Sequence, residues 1–222
     1  DVGDRAHVGE LFARFGTELL PLAGIIHAAG IVDDALWEDQ SWDRFEKVLR
    51  PKALGAALLH ELTVDLPLAF FLLYSSASSV LGPPGQSNYA AANAYLDGLA
   101  AHRRSQGLPA ISLNWGPWSE GMADDERIRK RLQLQGITPL SSDEAHQAME
   151  RAASAGLVQS TVIDVNWRKM QTGMGGHAPP LWNWRSRGSQ FLLLITLLAT
   201  VVAFVVMGAR ARLARAQAQA EA

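Results

Sequence analysis

Hydrophobic and polar positions along this chain fall into two regimes that meet near residue 170. Before it, short apolar runs rich in β-branched or aromatic residues recur at 24–28 (GIIHA), 69–76 (AFFLLYSS), 110–115 (AISLNW) and 161–166 (TVIDVN). Between them the apolar spacing changes to that of helices, over 4–17, 42–62, 87–105, 123–135 and 142–155. Nearly continuous apolar strands alternating with helices predict a parallel sheet covered on both faces, in an α/β layered domain.

After residue 170 the pattern stops. Residues 171–190 (QTGMGGHAPPLWNWRSRGSQ) have no usable period and read as a linker. Residues 191–209 (FLLLITLLATVVAFVVMGA) carry no charge, and 19 residues at about 1.5 Å each span roughly the hydrocarbon of a bilayer. A buried core helix would leave some polar face, so the expectation is a single transmembrane helix, followed by a basic tail at 210–222. Trp182 and Trp184 would suit its interface, whereas Lys/Arg at 168, 169, 185 and 187 balance Arg210, Arg212 and Arg215 and leave orientation open. The expected location is membrane-associated, with the catalytic part on the cytoplasmic side.

Composition narrows the field. A net charge of −2 with scattered arginines leaves no basic footprint for nucleic acid. With no cysteine there is neither a disulfide framework nor a thiolate metal site. The histidines at 7, 27, 60, 102, 146 and 177 form no pair with ligand spacing, so no metal is expected. The chain starts at Asp1 without a secretory leader, which reads as a processed chain or a fragment.

Candidate chemistry lies in the stretch 85–104 (GQSNYAAANAYLDGLAAHRR), where Tyr89 and Asn93 stand four apart on one helix face. The small residues between them allow another molecule to approach closely. The serine cluster at 74–79 (YSSASS) ends a buried strand, where open α/β sheets bind ligands at their carboxyl edges. Lys52 follows Pro51, which suits a first helical turn. An ammonium near a phenol favours the phenolate and moves its pKa down from about 10, making tyrosine usable as a general acid. Each residue alone has an ordinary structural use, as an anchor, a turn or a solvated charge.

Taken together, the stretches PLAGIIHAAGIVDDAL, VLRPKALGAALLH, LLYSSASSVLGPPGQSNYAAANAYLDGLAAHRR and ISLNWGPWSEGMA resemble the catalytic half of a modular polyketide synthase ketoreductase domain. That family lies in the short-chain dehydrogenase/reductase superfamily, and the likeness covers 1 to about 170. It implies a Rossmann-like, doubly wound parallel sheet and a catalytic tetrad at Lys52, Ser76, Tyr89 and Asn93. The implied roles are proton donation by Tyr89 to a ketone oxygen as hydride arrives from NADPH, and a hydrogen bond from Ser76 to that oxygen. Lys52 would lower the tyrosine pKa and hold the nicotinamide ribose, and Asn93 would support a relay water. Ser75 is an alternative to Ser76, although the 13-residue separation from Tyr89 favours Ser76.

Further implied cofactor positions are Asp1 and Val2, which resemble the aspartate after the third strand that contacts adenine, then Ala28, Ala29 and Gly30, and Gly116 with Pro117. Residues 119–135 resemble a lid. Val32, Asp33 and Asp34 resemble the Leu-Asp-Asp signature of ketoreductases that give the D-hydroxy product, with valine in place of leucine. Leu81 stands where the opposite class carries tryptophan, and Gln86 belongs with the same stereocontrol set. The implied substrate is a β-ketoacyl thioester on an acyl carrier protein, with other synthase domains as partners.

The Gly-rich turn of a dinucleotide site is not found; GMGG at 173–176 follows no strand and opens no helix. The expectation is therefore an N-terminally truncated Rossmann unit, with the missing N-terminal half of the reductase as a partner, very low isolated activity, and an open apolar edge at 24–28. Three readings stay open: this carrier-dependent reductase, a non-enzymatic remnant or interaction module, and a short-chain reductase of a free carbonyl compound.

Overall fold

The computed structural model describes residues 1–120 and 126–173. Four parallel strands form its sheet: β1 (Gly24–His27), β2 (Phe70–Ser76), β3 (Ile111–Trp115) and β5 (Gln159–Val162), in the order β1-β2-β3-β5. The helices are α1 (Arg5–Ala13), α2 (Trp42–Leu49), α3 (Gly55–Glu61), α4 (Ser78–Leu81), α5 (Ser87–Ser105), α6 (Glu126–Gln135), α7 (Ser142–Ser154) and α8 (Trp167–Gly173). A short antiparallel pair, β4 (Ile137–Thr138) with β6 (Asp164–Val165), stands apart from the sheet.

Alternation along the strands builds two cores. Ile25, Phe71 and Leu73 point to one face, where Leu59 of α3 and Leu96 and Leu99 of α5 meet them. Leu72, Ile111, Leu113 and Trp115 point to the other, against Ala145, Ala148 and Ala152 of α7. Tyr74 and Trp118 extend this second core, their rings 5.4 and 5.2 Å from that of Trp115. Coverage of the second face is uneven, because Ile26 and Phe70 remain 57% and 44% exposed. A sheet covered on both faces is thus realised over β3 and β5 but not over β1 among the described residues.

Local chemistry sets the element ends. Asp4 caps α1 through the amides of Ala6 and His7, and Ser141 and Glu144 form a reciprocal capping box on α7. The predicted helix over 42–62 is broken by a π-helical stretch, Arg50–Leu54, because Pro51 has no N–H to donate and its ring crowds the preceding turn. The predicted strand over 161–166 becomes β5 and β6, parted at Ile163, which packs against Gly116. Gly82, at φ 61°, ends α4 in the left-handed region open to glycine.

The transmembrane reading requires correction. Among the described residues no helix is long and apolar enough to cross a membrane. The longest described helix, α5 with 19 residues, carries Asp97, Arg103 and Arg104, charges that a bilayer interior would not accept. Residues 191–209, read above as the span, the tail at 210–222 and most of the linker at 171–190 lie outside the described residues, while α8 runs past the expected boundary at 170. Among the described residues the fold is therefore an α/β parallel sheet without a membrane helix, and the membrane-associated location with a cytoplasmic catalytic part, which rested on that span, is not supported.

Phe71 joins the first core to the buried Arg103, whose guanidinium lies 3.9 Å from its ring centroid. Replacing Phe71 with Ala is expected to cost about 3–5 kcal/mol in urea unfolding. A loss below about 1 kcal/mol would show that this core does not bear on stability.

Candidate active site

The carboxyl ends of β1 and β2 meet the first turns of α5, and there the structure gathers the four residues singled out by sequence. Ser76 is the last residue of β2, and its Oγ accepts the Ser78 amide at 3.1 Å, which fixes the turn into α4. Tyr89 enters from α5, and the side chains of Asn93 and Ser76 are near enough to its phenol to favour the ionised form. Asn93, one turn on, donates from Nδ2 to the Tyr89 carbonyl at 2.8 Å, while its Oδ1 is buried without a protein partner. Ser75 faces away: its hydroxyl donates to the Asn93 carbonyl at 3.2 Å.

Lys52 comes from the π-helical stretch and is only 4% exposed. Its ammonium donates to the Tyr74 carbonyl at 2.9 Å and stands 5.5 Å from the Tyr89 ring centroid, over the face of the ring. Its own carbonyl meets Nε2 of the buried His27 at 2.9 Å, so β1 holds the turn that presents it. Gly30 follows β1, and a Cβ there would come within 3.2 Å of the Lys52 ammonium. A side chain at that position would crowd the amine.

The electrostatics depart from one expectation. Burial pushes the Tyr89 phenol above the usual tyrosine range, and Asp34 adds to this, against the opposing influence of the Asn93 and Ser76 side chains. The anticipated lowering by Lys52 is not among the influences on the phenol, and the ammonium lies over the face of the ring. Burial instead brings Lys52 itself down to about 8, with the Asp97 carboxylate pulling the other way.

The remaining sequence-predicted residues flank this centre. Asp33 is held by ion pairs with Arg44 and Lys47. Asp34 accepts from Gln86 Nε2 at 2.9 Å, and the Ala35 amide donates to the Gly85 carbonyl, so the loop after β1 is zipped to the entrance of α5. Leu81 ends α4, partly exposed. Ala28 and Ala29 lead from β1 to Gly30. Asp1 accepts from the Gly3 amide and lies 3.7 Å from Arg50, and Val2 packs on Gly55 at the start of α3. Gly116 donates to the Val162 carbonyl and Pro117 accepts from Leu140, which ties both to the β5 side rather than to the four central residues.

Sequence reading missed Asp97, one further turn along α5. It accepts from Ser112, Ser79 and Asn114 at 2.6, 2.8 and 2.7 Å. The signal was present: 89, 93 and 97 continue the same four-residue stripe.

Lys52 supplies a titration test. Its pKa falls from 10.5 unfolded to about 8 folded, so the unfolded chain binds more protons between those values and stability rises with pH there. The drop corresponds to about 3 kcal/mol. Relative to a Lys52→Met variant, the protein is expected to gain up to that amount in urea unfolding as pH rises from 8 to 10.5. A difference that stays flat across this window would contradict a buried, proton-shedding lysine.

Comparison with known proteins gives the family. Residues 1–120 match the family described as KR domain. The chain is 45% identical over 186 residues to the spectinabilin polyketide synthase system protein NorB of Streptomyces orinoci, a match covering 82% of this chain and 8% of that protein. It is 45% identical over 170 residues to the phenolphthiocerol synthesis polyketide synthase type I Pks15/1 of Mycobacterium bovis, covering 74% of this chain and again 8% of the relative. Among solved structures, an A-type ketoreductase from a modular polyketide synthase superposes with a TM-score of 0.77 at 37% identity, covering 82% of this chain and 38% of that one. The chain thus spans under a tenth of these synthases and well under half of the solved ketoreductase. By these matches and by its parallel sheet, the chain belongs to the KR domain family, the ketoreductases of polyketide synthases within the short-chain dehydrogenase/reductase superfamily.

Proposed function

We propose that this chain is the catalytic portion of an NADPH-dependent ketoreductase that converts the β-keto group of a thioester on an acyl carrier protein to a β-hydroxy group, working beside other domains of a polyketide synthase. The observation that carries this reading is the convergence of Lys52, Ser76, Tyr89 and Asn93 on one sheet end. The residues fit a nicotinamide cofactor on two counts. The Lys52 ammonium uses one of its three hydrogens on Tyr74, leaving two for ribose hydroxyls, and Gly30 keeps the adjoining space clear. When bound, the cofactor supplies the hydride.

Tyr89 then acts as the proton donor. Its upward-shifted pKa keeps the phenol protonated at neutral pH, the form a general acid needs. As negative charge develops on the ketone oxygen, the hydroxyls of Tyr89 and Ser76 stand as preorganised donors. Lys52, positively charged below about pH 8, favours the phenolate that proton transfer leaves behind. The unpartnered Oδ1 of Asn93 is the acceptor for a water that returns the proton to Tyr89. Asp33 and Asp34, anchored by Arg44, Lys47 and Gln86 at the entrance of α5, orient the substrate toward a D-hydroxy product. The exposed Ile26 and Phe70 are covered by the remainder of the reductase.

In the intact protein, Tyr89→Phe is expected to lower kcat about 10²–10⁴-fold on a carrier-bound β-ketoacyl thioester, followed by NADPH absorbance, with the D-hydroxy configuration read by chiral chromatography. Retention of full activity, or equal efficiency on a free ketone lacking the carrier, would overturn the reading.

A further inference from the structure

The sheet end carries a second polar layer that the proposed reaction does not use. Asp97 lies behind Ser76 on α5, partly buried. Parallel pairing sets Ser75 opposite Asn114 and Leu73 opposite Ser112, so Ser112 and Asn114 point from β3 toward α5, and both are fully buried. The Ser112 hydroxyl donates to Asp97 Oδ1 at 2.6 Å, and Asn114 Nδ2 donates to Oδ2 at 2.7 Å. Ser79 Oγ stands 2.8 Å from the same Oδ2 and 2.9 Å from the Ser76 carbonyl and shares its one hydrogen between them, while Asn114 donates to Ser79 at 2.7 Å. Gln159 of β5 donates to Asn114 Oδ1 at 3.1 Å and orients the amide. Burial pushes the Asp97 carboxyl above the usual aspartate range, and the donors around it, Ser112, Ser79, Asn114 and Ser75, work against that push in favour of the ionised form.

Such a layer is more than the core requires. Apolar residues of similar shape would fill the same space with no buried polar groups to satisfy. What it supplies instead is a fixed charge and a fixed main chain at a place where both matter. Ser79 ties the carboxylate to the backbone of Ser76, and Asp97 is the charge that favours the ammonium of Lys52. The groups around that ammonium are Tyr89 and Asp97 of α5, His27 of β1 and the Tyr74 carbonyl of β2. His27 is buried and its pKa is lowered chiefly by that burial, so it adds no second positive charge at neutral pH. Among the described residues, Asp97 is the carboxylate that acts on this ammonium.

We propose that Asp97 is a positioning residue, which holds the main chain of Ser76 through Ser79 and serves as counter-charge to the Lys52 ammonium from behind the sheet end. Its contribution to activity rests on the reading of Lys52 and Ser76 given above. Its effect on Lys52 does not, because that can be read without substrate or cofactor.

The test uses the full 222-residue chain, whose four lysines (47, 52, 130 and 169) make ¹³Cε-lysine NMR tractable, with Lys52 assigned by loss of its signal in Lys52→Arg. In Asp97→Asn, which keeps size and loses charge, the Lys52 midpoint is expected to fall by about one pH unit from its starting value near 8. The alkaline limb of kcat/KM in the intact protein should move the same way, with kcat reduced about tenfold and KM for the thioester unchanged. If Asp97→Asn does not fold, Ser79→Ala tests the other arm: kcat falls while the Lys52 midpoint stays in place. An unmoved Lys52 midpoint in folded Asp97→Asn, or full activity in Ser79→Ala, would overturn the proposal. A shifted midpoint in a protein that reduces no β-ketoacyl thioester would instead uphold the role of Asp97 toward Lys52 and sink the proposed function.

Discussion

A lysine ammonium almost wholly withdrawn from water is the constraint on which this structure turns. Burying such a charge is costly unless acceptors and a counter-charge are at hand. Here the Tyr74 carbonyl, the face of the Tyr89 ring and the Asp97 carboxylate share the task, and the residual cost appears as a pKa near 8. Presenting the side chain in this way needs a break in the helix over 42–61, and Pro51 supplies it as a π-helical stretch whose turn His27 holds from the neighbouring strand. Local sequence, backbone geometry and electrostatics are thus bound into one arrangement.

The second constraint is parallel pairing. Because β2 and β3 run side by side in register, Ser75 and Ser76 emerge level with Asn114 and Trp115. One face of that end is polar and receives α5, while the other is aromatic, with Tyr74, Trp115 and Trp118 packed over α7. Helix α5 answers with a stripe at 89, 93 and 97, so a single helix face carries the phenol, the amide that braces its backbone and the carboxylate behind it. A rigid helix on a rigid sheet holds such groups more tightly than loops would.

Much of this was legible in the residues, for physical reasons that can be traced. Strands buried between layers read as unbroken apolar runs, so 24–28, 69–76 and 110–115 were found to within a residue or so, and 87–105 matches α5. The split of 42–62 at Pro51 and of 161–166 at Ile163 was not anticipated, since periodicity does not register a single-turn change of helix type or a strand changing partners. The sign of the Tyr89 shift was missed for a deeper reason: a neighbouring charge can be guessed from sequence, but desolvation depends on what the whole fold places around the group. Asp97 was overlooked because its meaning comes from Ser79, Ser112 and Asn114, which lie on other elements. Apolarity alone suggested a membrane span at 191–209, and among the described residues no helix has that character.

The central claim is that two hydroxyls at this sheet end polarise one ketone oxygen. Isotope-edited infrared spectroscopy of a β-ketoacyl thioester carrying a ¹³C-labelled ketone, bound to the intact protein with oxidised cofactor, reads that oxygen directly. The account predicts a C=O stretch below its value in water, returning toward that value in Tyr89→Phe and further in the double variant with Ser76→Ala. A stretch equal to that in water, unchanged by either substitution, would contradict it.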